Sequence, residues 1–171
     1  SARVDTRYDP KFFSSDDLLA GKDIFKPVIF SAQYNQEKLS LTAEYAIRSV
    51  KDTGFGEGFD KDITGESYYL QAEYRFADDW VAIIRYDTLY NDRNDRNGDK
   101  FQTIPGYPPA HTQFAKDWTF GLRYYVNSSF LIAAEYHYIN GTAWLPLQDN
   151  PDPFDLDQRW HLFAIMAGFR F

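Results

Sequence analysis

The 171-residue sequence contains no cysteine, one methionine and no long run of apolar residues. Without cysteine, it has no disulfide framework, thiolate metal site or cysteine nucleophile. Its apolar runs are far shorter than the roughly 18 to 20 residues that a transmembrane helix needs. Lysine and arginine form no cluster, and the net charge is -7. A nucleic-acid partner is therefore not expected, because a phosphate backbone needs a basic face.

Aromatic residues, by contrast, are abundant. They make up 19% of the chain, with 13 Tyr, 15 Phe and 4 Trp. Tyrosine and tryptophan combine an apolar ring with a polar tip, so they favour positions where apolar material meets water. Such positions occur at protein interfaces and at the edge of a bilayer, and composition alone does not separate the two.

Apolar residues recur at every second position through most of the chain, which is the period of a strand with one apolar face. In one such segment Leu39, Leu41, Ala43, Tyr45 and Ile47 share a side, and polar residues occupy the other. The pattern predicts eight strands in up-and-down order. The predicted strands span 1–9, 24–34, 38–50, 66–76, 80–91, 117–126, 129–139 and 159–171.

The segments between the predicted strands alternate in length. Short joints of turn-forming residues at 35–37, 77–79 and 127–129 are suited to tight hairpins. Long joints rich in Asp, Asn, Gly and Pro separate the other neighbouring strands. These long joints span 10–23, 51–65, 92–116 and 140–158. Tight turns at one end and long loops at the other are typical of outer-membrane barrels.

A soluble barrel or sandwich also alternates, with its apolar side inward. Two features favour the membrane. Several predicted strands reach the ~9 to 11 residues that a tilted strand needs to cross a bilayer. Aromatic residues sit mostly at the ends of the apolar faces, as in the girdles around a lipid band. The sequence predicts a single domain over 1–171, an all-β, antiparallel up-and-down transmembrane β-barrel.

The last nine residues, FAIMAGFRF, place apolar side chains at every second position before a terminal aromatic. This pattern, carried by Phe163, Ile165, Ala167, Phe169 and Phe171, resembles the assembly signal that ends bacterial outer-membrane β-barrels. The resemblance implies an integral outer-membrane protein that contacts lipid and lipopolysaccharide and is recognised by the barrel-assembly machinery.

A second resemblance is narrower. The segments 134–137, 141–146 and 149–151, with the last strand, resemble the C-terminal end of larger porin-like outer-membrane proteins. It implies a channel for passive diffusion of small hydrophilic solutes, and a homo-oligomer is compatible with it, since porins are often trimers. On this basis the chain is expected to be the C-terminal part of a longer barrel. The alternative is a closed eight-stranded barrel with a structural or surface-interaction role.

The polar faces of the predicted strands carry charges of both signs. In a wide barrel they would face water and set charge selectivity, whereas in a narrow one they would pair with one another. The candidate lumen-lining residues are Glu44, Arg48, Glu73, Arg75, Arg85, Asp87, Arg123, Glu135, His137 and Arg170.

Other chemistry has little support in the sequence. The acidic segment 91–99 does not fit the EF-hand frame, since Arg93 falls where the first Asp ligand belongs. No metal and no cofactor are predicted. A lipid-modifying enzyme using His161 or His137 is a third hypothesis, but no spacing brings a nucleophile and a base together.

Overall fold

The computed structural model describes residues 4–8, 21–56, 60–146 and 148–170. Within these residues the strands form one eight-stranded antiparallel sheet in sequential order, as the sequence predicts. The strands are β1 (Val4–Tyr8), β2 (Gly21–Asn35), β3 (Leu39–Thr53), β4 (Lys61–Ala77), β5 (Trp80–Tyr90), β6 (Phe114–Tyr125), β7 (Phe130–Asn140) and β8 (Arg159–Phe169).

Helical structure in the described residues is confined to the β5–β6 loop. It comprises α1 (Asp99–Gln102) and a 3-10 helix (Ala110–Gln113). No helix in the described part of the chain is long and apolar enough to cross a membrane.

The three short joints are tight turns. In the β2–β3 turn, the Gln36 amide donates to the Leu39 carbonyl at 2.7 Å. In the β6–β7 turn, Asn127 Oδ1 accepts the amides of Ser129 and Phe130 at 2.9 Å each. Asparagine favours such turns because its side chain can bond to backbone amides two residues on. The short turns therefore fix neighbouring strands in antiparallel register.

The long joint predicted at 51–65 is too long. β3 continues to Thr53 and β4 begins at Lys61, with Asp52 paired to Lys61 across the ladder. Most side chains there are polar, and Lys51 Nζ lies 3.3 Å from Asp62 Oδ2. Backbone ladders need no apolar alternation, so strands continue after the alternation that reveals them has stopped. β2 likewise starts earlier than predicted, at Gly21, and β6 at Phe114.

The two faces of the sheet differ in composition. We call them the apolar face, which carries residues such as Leu70 and Phe120, and the charged face, which carries residues such as Asp87 and Thr119. Leu70 is 57% exposed and Phe120 49%, whereas Asp87 is 7% and Thr119 3% exposed. The sheet therefore presents its apolar side outward, which is the reverse of a soluble sheet.

Aromatic rings cross the apolar face in two rows. Near the tight turns, Trp80 stacks on Tyr124 with ring centroids 4.5 Å apart, and Phe76 lies 6.4 Å from Trp80. Toward the loops, Tyr86 lies 4.6 Å from Trp118 and 6.4 Å from Tyr68. The ladder places aliphatic residues between these rows: Leu70, Ala72, Ala82, Ile84 and Leu122. This banding is the pattern of an apolar belt between two interfacial girdles.

The sheet is open in the described residues, with β1 and β8 at its edges. On β8, exposure extends to both faces, since Phe163 is 65% and Met166 57% exposed. Phe171, the last residue of the predicted assembly signal, lies outside the described residues. So do positions 1–3 and 9 of the first predicted strand and positions 10–20 of the first long joint.

Candidate functional site: the charged face

The ladder register brings the candidate lumen residues onto one face. Glu44 pairs with Tyr69, Tyr69 with Asp87, and Asp87 with Asp117, so these four form a row across β3 to β6. Because side chains alternate along a strand, residues two apart from these share the same face. The candidates on the same face are Arg48, Glu73, Arg75, Arg85, Arg123, Glu135 and His137, with Arg170 directly after β8.

Arg85 and Asp87 form a pair along β5. Arg85 Nε lies 2.5 Å from Asp87 Oδ2, and the guanidinium lies over the Tyr69 ring, 5.3 Å from its centroid. Asp87 is buried, whereas Arg85 is only partly covered. A buried carboxylate is costly without a partner, so the arginine allows an acidic residue to remain on this face.

A second pair joins β4 to β6. Arg123 Nη1 lies 3.5 Å from Glu73 Oε2, and Gln71 Nε2 donates to Glu73 Oε1 at 2.9 Å. The nearby Arg75 donates to the Asp78 carbonyl at 2.7 Å and lies over the Tyr125 ring, 5.5 Å from its centroid. Carboxylates thus offset two arginines of the charged face, while Arg75 is held by a carbonyl and a ring.

His137 lies between two carboxylates. Its Nδ1 is 2.7 Å from Asp117 Oδ2, and its Nε2 is 3.6 Å from Glu135 Oε2. Thr119 Oγ1 also donates to Asp117 Oδ2, at 3.1 Å. Glu135 and His137 were predicted from the sequence, but Asp117 and Thr119 were not. Asp117 was predicted to begin its strand, and its partnership with His137 depends on a register that alternation alone does not give.

The β7–β8 loop folds back over the charged face. Gly141 starts it with a φ of 103°, and a Cβ there would lie 2.1 Å from the Phe114 carbonyl oxygen. Only glycine permits both this backbone conformation and this approach. The Thr142 amide then donates to the His111 carbonyl at 2.8 Å, and the Ala143 amide to that of Phe114 at 3.2 Å.

These contacts bring Trp144 over the charged face. Trp144 lines a partly open cavity of about 310 Å³ together with Glu44, Tyr69, Arg85 and Asp87. Trp144 itself is 39% exposed. Its position is not predictable from the sequence, because a single tryptophan in a loop segment has no periodic neighbours that would indicate where it lies.

A larger cavity of about 690 Å³ lies near the loop end of the sheet, between β2–β4 and the β5–β6 loop. Arg48 is partly buried there, and its Nε has no hydrogen-bond partner among the described residues. Cations and carboxylates both line the cavity. Its charged residues are Arg48, Asp52, Asp60, Lys61, Asp92, Asp95 and Lys100.

A buried carboxylate lies on the apolar face. Glu66 is 2% exposed at the loop end of β4, where it forms an ion pair with Arg96 and accepts a hydrogen bond from Tyr45 Oη at 3.0 Å. The hydrogen bond to Glu66 raises the pKa of Arg96 above its ordinary value. Arg96 also lies over the Tyr90 ring, 5.5 Å from its centroid. This cluster, absent from the predicted sites, marks where the loops meet the apolar belt.

The three histidines lie in different surroundings. His111 Nδ1 is 3.1 Å from Thr142 Oγ1, and burial lowers the pKa of its imidazole. His137 contacts Asp117, and His161 Nδ1 lies 2.7 Å from Tyr136 Oη. No group of three His, Cys, Asp or Glu side chains in the described part of the chain could hold a metal ion.

Comparison with known proteins adds one match. A family model described as phosphate-selective porin O and P matches residues 6–143. This span runs from within β1 to the first residues of the β7–β8 loop, and it includes most of the charged face. No curated protein and no solved structure matches the chain.

Proposed function

Because the chain belongs to the phosphate-selective porin O and P family, whose members are channels of the outer membrane, we propose that its charged face lines a water-filled lumen for diffusion of small hydrophilic solutes. The observation that carries this proposal is the division of the sheet. Apolar side chains such as Leu70 are exposed between aromatic rows, and paired charges such as Arg85 and Asp87 lie on the opposite face. A channel wall needs this division, because one side meets lipid and the other water.

Passage depends on electrostatic and steric filtering. Carboxylates and arginines alternate along the strands of the charged face, so a solute meets charges of both signs in turn rather than a uniform potential. The pairs Arg85–Asp87 and Glu73–Arg123 largely cancel at long range. We therefore expect weak ion selectivity in the native protein. Removal of a single charge should still shift that selectivity.

The test is reconstitution of the native protein in planar bilayers, with single-channel conductance and reversal potential measured in a KCl gradient. We expect conductance steps of reproducible size. Asp87→Asn should shift selectivity toward anions and Arg85→Gln toward cations. Arg93→Gln is the matched control, since Arg93 belongs to the loop near Tyr45 on the apolar face. Correctly folded protein without conductance steps would refute the channel and favour a closed barrel with a structural role.

Phosphate conduction is a second candidate. The family description names phosphate, and Arg48 offers a partly buried guanidinium nitrogen without a hydrogen-bond partner among the described residues. A guanidinium suits a phosphate group because it can bind two oxygens at once. Inorganic phosphate should then block chloride current at a lower concentration than sulfate does, and Arg48→Gln should remove the difference. Equal block by both anions in the native channel would contradict this candidate.

We also propose two kinds of partner. Lipid and lipopolysaccharide would surround the apolar face, and the barrel-assembly machinery would recognise the end of the chain. The second partnership predicts that Phe171→Ala lowers the amount of folded protein in the outer membrane, measured by heat-modifiable gel mobility of membrane fractions. The matched control is Phe154→Ala, which removes an exposed ring from the β7–β8 loop. Equal loss in both variants would contradict recognition of the terminal ring.

A further inference from the structure

The cavity beneath Trp144 differs from the rest of the charged face in shape and chemistry. It encloses about 310 Å³, near the lower end of the ~300 to 1,000 Å³ typical of small-molecule pockets. Its floor is the row formed by Glu44, Tyr69 and Asp87, with Arg85 beside them, and Trp144 from a different element lines its other side. A solute passing along the charged face would meet this cavity as a recess in the wall.

The charges of the cavity disfavour a small anion. Two carboxylates, Glu44 and Asp87, line it against a single guanidinium, and that guanidinium is already bound to Asp87 at 2.5 Å. An anion would meet Glu44 without a free cation to compensate. A small cation would have to compete with Arg85 for Asp87, and Glu44 already accepts a hydrogen bond from Ser31 Oγ at 2.9 Å.

A neutral solute with many hydroxyl groups avoids both conflicts. Each hydroxyl can donate to a carboxylate and accept from a guanidinium or a phenol, so it can join the existing pairs without separating them. The C–H face of a sugar ring can pack on an aromatic face, where the π-electron density is negative. Trp144 supplies that face, while Glu44, Asp87 and Arg85 supply acceptors and donors.

We propose that this cavity is a binding subsite for a neutral polyhydroxylated solute of monosaccharide size. The inference rests on the proposed channel function, because the solute reaches the subsite through the lumen. Trp144 forms the apolar platform, and the Arg85–Asp87 pair and Glu44 orient the hydroxyl groups. The β7–β8 loop holds the platform in place through the contacts of Thr142 with His111 and of Ala143 with Phe114.

The experiment measures the effect of D-glucose on ion current through the native protein in planar bilayers. A subsite predicts a saturable decrease in conductance. Glycerol solutions of equal viscosity correct for slower ion diffusion, and spermidine and inorganic phosphate serve as cationic and anionic probes. Conductance without sugar tests the proposed channel separately, so a channel that conducts but shows no saturable block by glucose overturns only the subsite.

Two variants sharpen the test. Trp144→Ala should raise the half-blocking glucose concentration about threefold to tenfold through loss of the aromatic contact, while Trp144→Phe should retain most of the affinity. Trp118→Ala is the matched control, since it removes a partly exposed tryptophan from the apolar face. Unchanged glucose block in Trp144→Ala would overturn the proposal. So would saturable block by spermidine or phosphate that is stronger than block by glucose and is weakened by Trp144→Ala, because it would assign the cavity to a charged solute.

Tryptophan fluorescence gives a readout that does not depend on conductance. Glucose should quench emission of the native protein in detergent micelles at the concentration that half-blocks the current. Trp144→Phe should remove the quenching, although it keeps most of the block. Quenching that persists in Trp144→Phe would place the sugar elsewhere and overturn the proposal.

Discussion

The two faces of the sheet share one backbone but differ in which side chains they expose and which they bury. On the apolar face, Phe120 and Leu122 are exposed and have no polar group in their side chains. On the charged face, Asp117 and Thr119 are almost fully covered and are hydrogen-bonded to each other. The apolar face can be exposed because lipid serves as its solvent. On the charged face buried polar groups need partners, because an unpaired one costs free energy, and Arg48 Nε is an exception among the described residues. Tolerance to substitution should therefore depend on the face rather than on the degree of exposure.

The largest expected effect comes from a pair of adjacent positions on β8. Phe163 and Ala164 are both exposed, but they lie on opposite faces, and Ala164 pairs with Glu135 on β7. Phe163→Lys should destabilise the barrel in vesicles by about 2–4 kcal/mol, since it puts an ammonium against lipid. Ala164→Lys should have little effect, because Glu135 is available as a partner. Urea unfolding of refolded protein measures both, and equal losses would contradict the assignment of faces.

Removing one acceptor from the charged face should have the next largest effect. In Asp117→Ala, the His137 ring and the Thr119 hydroxyl lose the carboxylate that they share, although they keep their contact with each other, so we expect a loss of about 1–3 kcal/mol in the free energy of unfolding. Asp117→Asn should lose less, because its amide oxygen still accepts a hydrogen bond. The control is Asp149→Ala in the exposed part of the β7–β8 loop. The same urea titration applies, and a stable Asp117→Ala variant would show that burial here does not depend on pairing.

A partly exposed pair on the same face should matter less. Glu73 and Arg123 are each about one quarter exposed, and water screens them. A double-mutant cycle with Glu73→Gln and Arg123→Gln should give a coupling energy of about 0.2–1 kcal/mol. If the coupling energy is as large as the loss in Asp117→Ala, solvent does not screen this pair. Cover by the loops would then determine how strongly charges on this face interact.

The smallest expected effect is a pH dependence of the loop that carries Trp144. His111 lies in the β5–β6 loop and contacts Thr142 of the β7–β8 loop. Burial lowers the pKa of His111, so the packed arrangement of the two loops favours the neutral imidazole. As the pH falls below about 6.5, His111 binds a proton more readily when the loops are unpacked than when they are packed. The packed arrangement, with its contact to Thr142, therefore loses stability until the pH has passed the lower pKa of the packed state. Limited proteolysis of 141–158 should therefore accelerate between pH 7.5 and pH 5. His111→Gln should remove this acceleration, and an unchanged pH dependence would contradict it.

The sequence predicted the architecture well, because alternation encodes strands and faces directly. The order of eight strands, their antiparallel pairing and the shared face of residues such as Glu44 and Arg85 were all predictable. Strand ends were not, since Lys51 and Asp62 pair in a part of the ladder where apolar residues no longer recur at every second position. Trp144 was missed for a different reason, because a loop that folds back onto the sheet leaves no period in the sequence.

Glu66 illustrates a further limit. Its position in β4 follows from alternation, but alternation predicts an apolar side chain there, facing lipid. The acid is accommodated because Arg96, from a loop 30 positions later in the chain, covers it and Tyr45 bonds to it. Such a contact between distant segments can be identified only once the loop is placed.

The polar ends of β3 and β4 have a consequence for the cell surface. At ~3.3 Å per residue, the ladder from Tyr45 to Thr53 rises about 25 Å along the strands past the upper aromatic row. If lipopolysaccharide surrounds the apolar face, as proposed, a hairpin of that reach would stand among its inner sugars. Its tip, next to Gly54, is thus the part of this wall that an antibody or a bacteriophage would meet early, and it is a natural place to graft an epitope for labelling living bacteria.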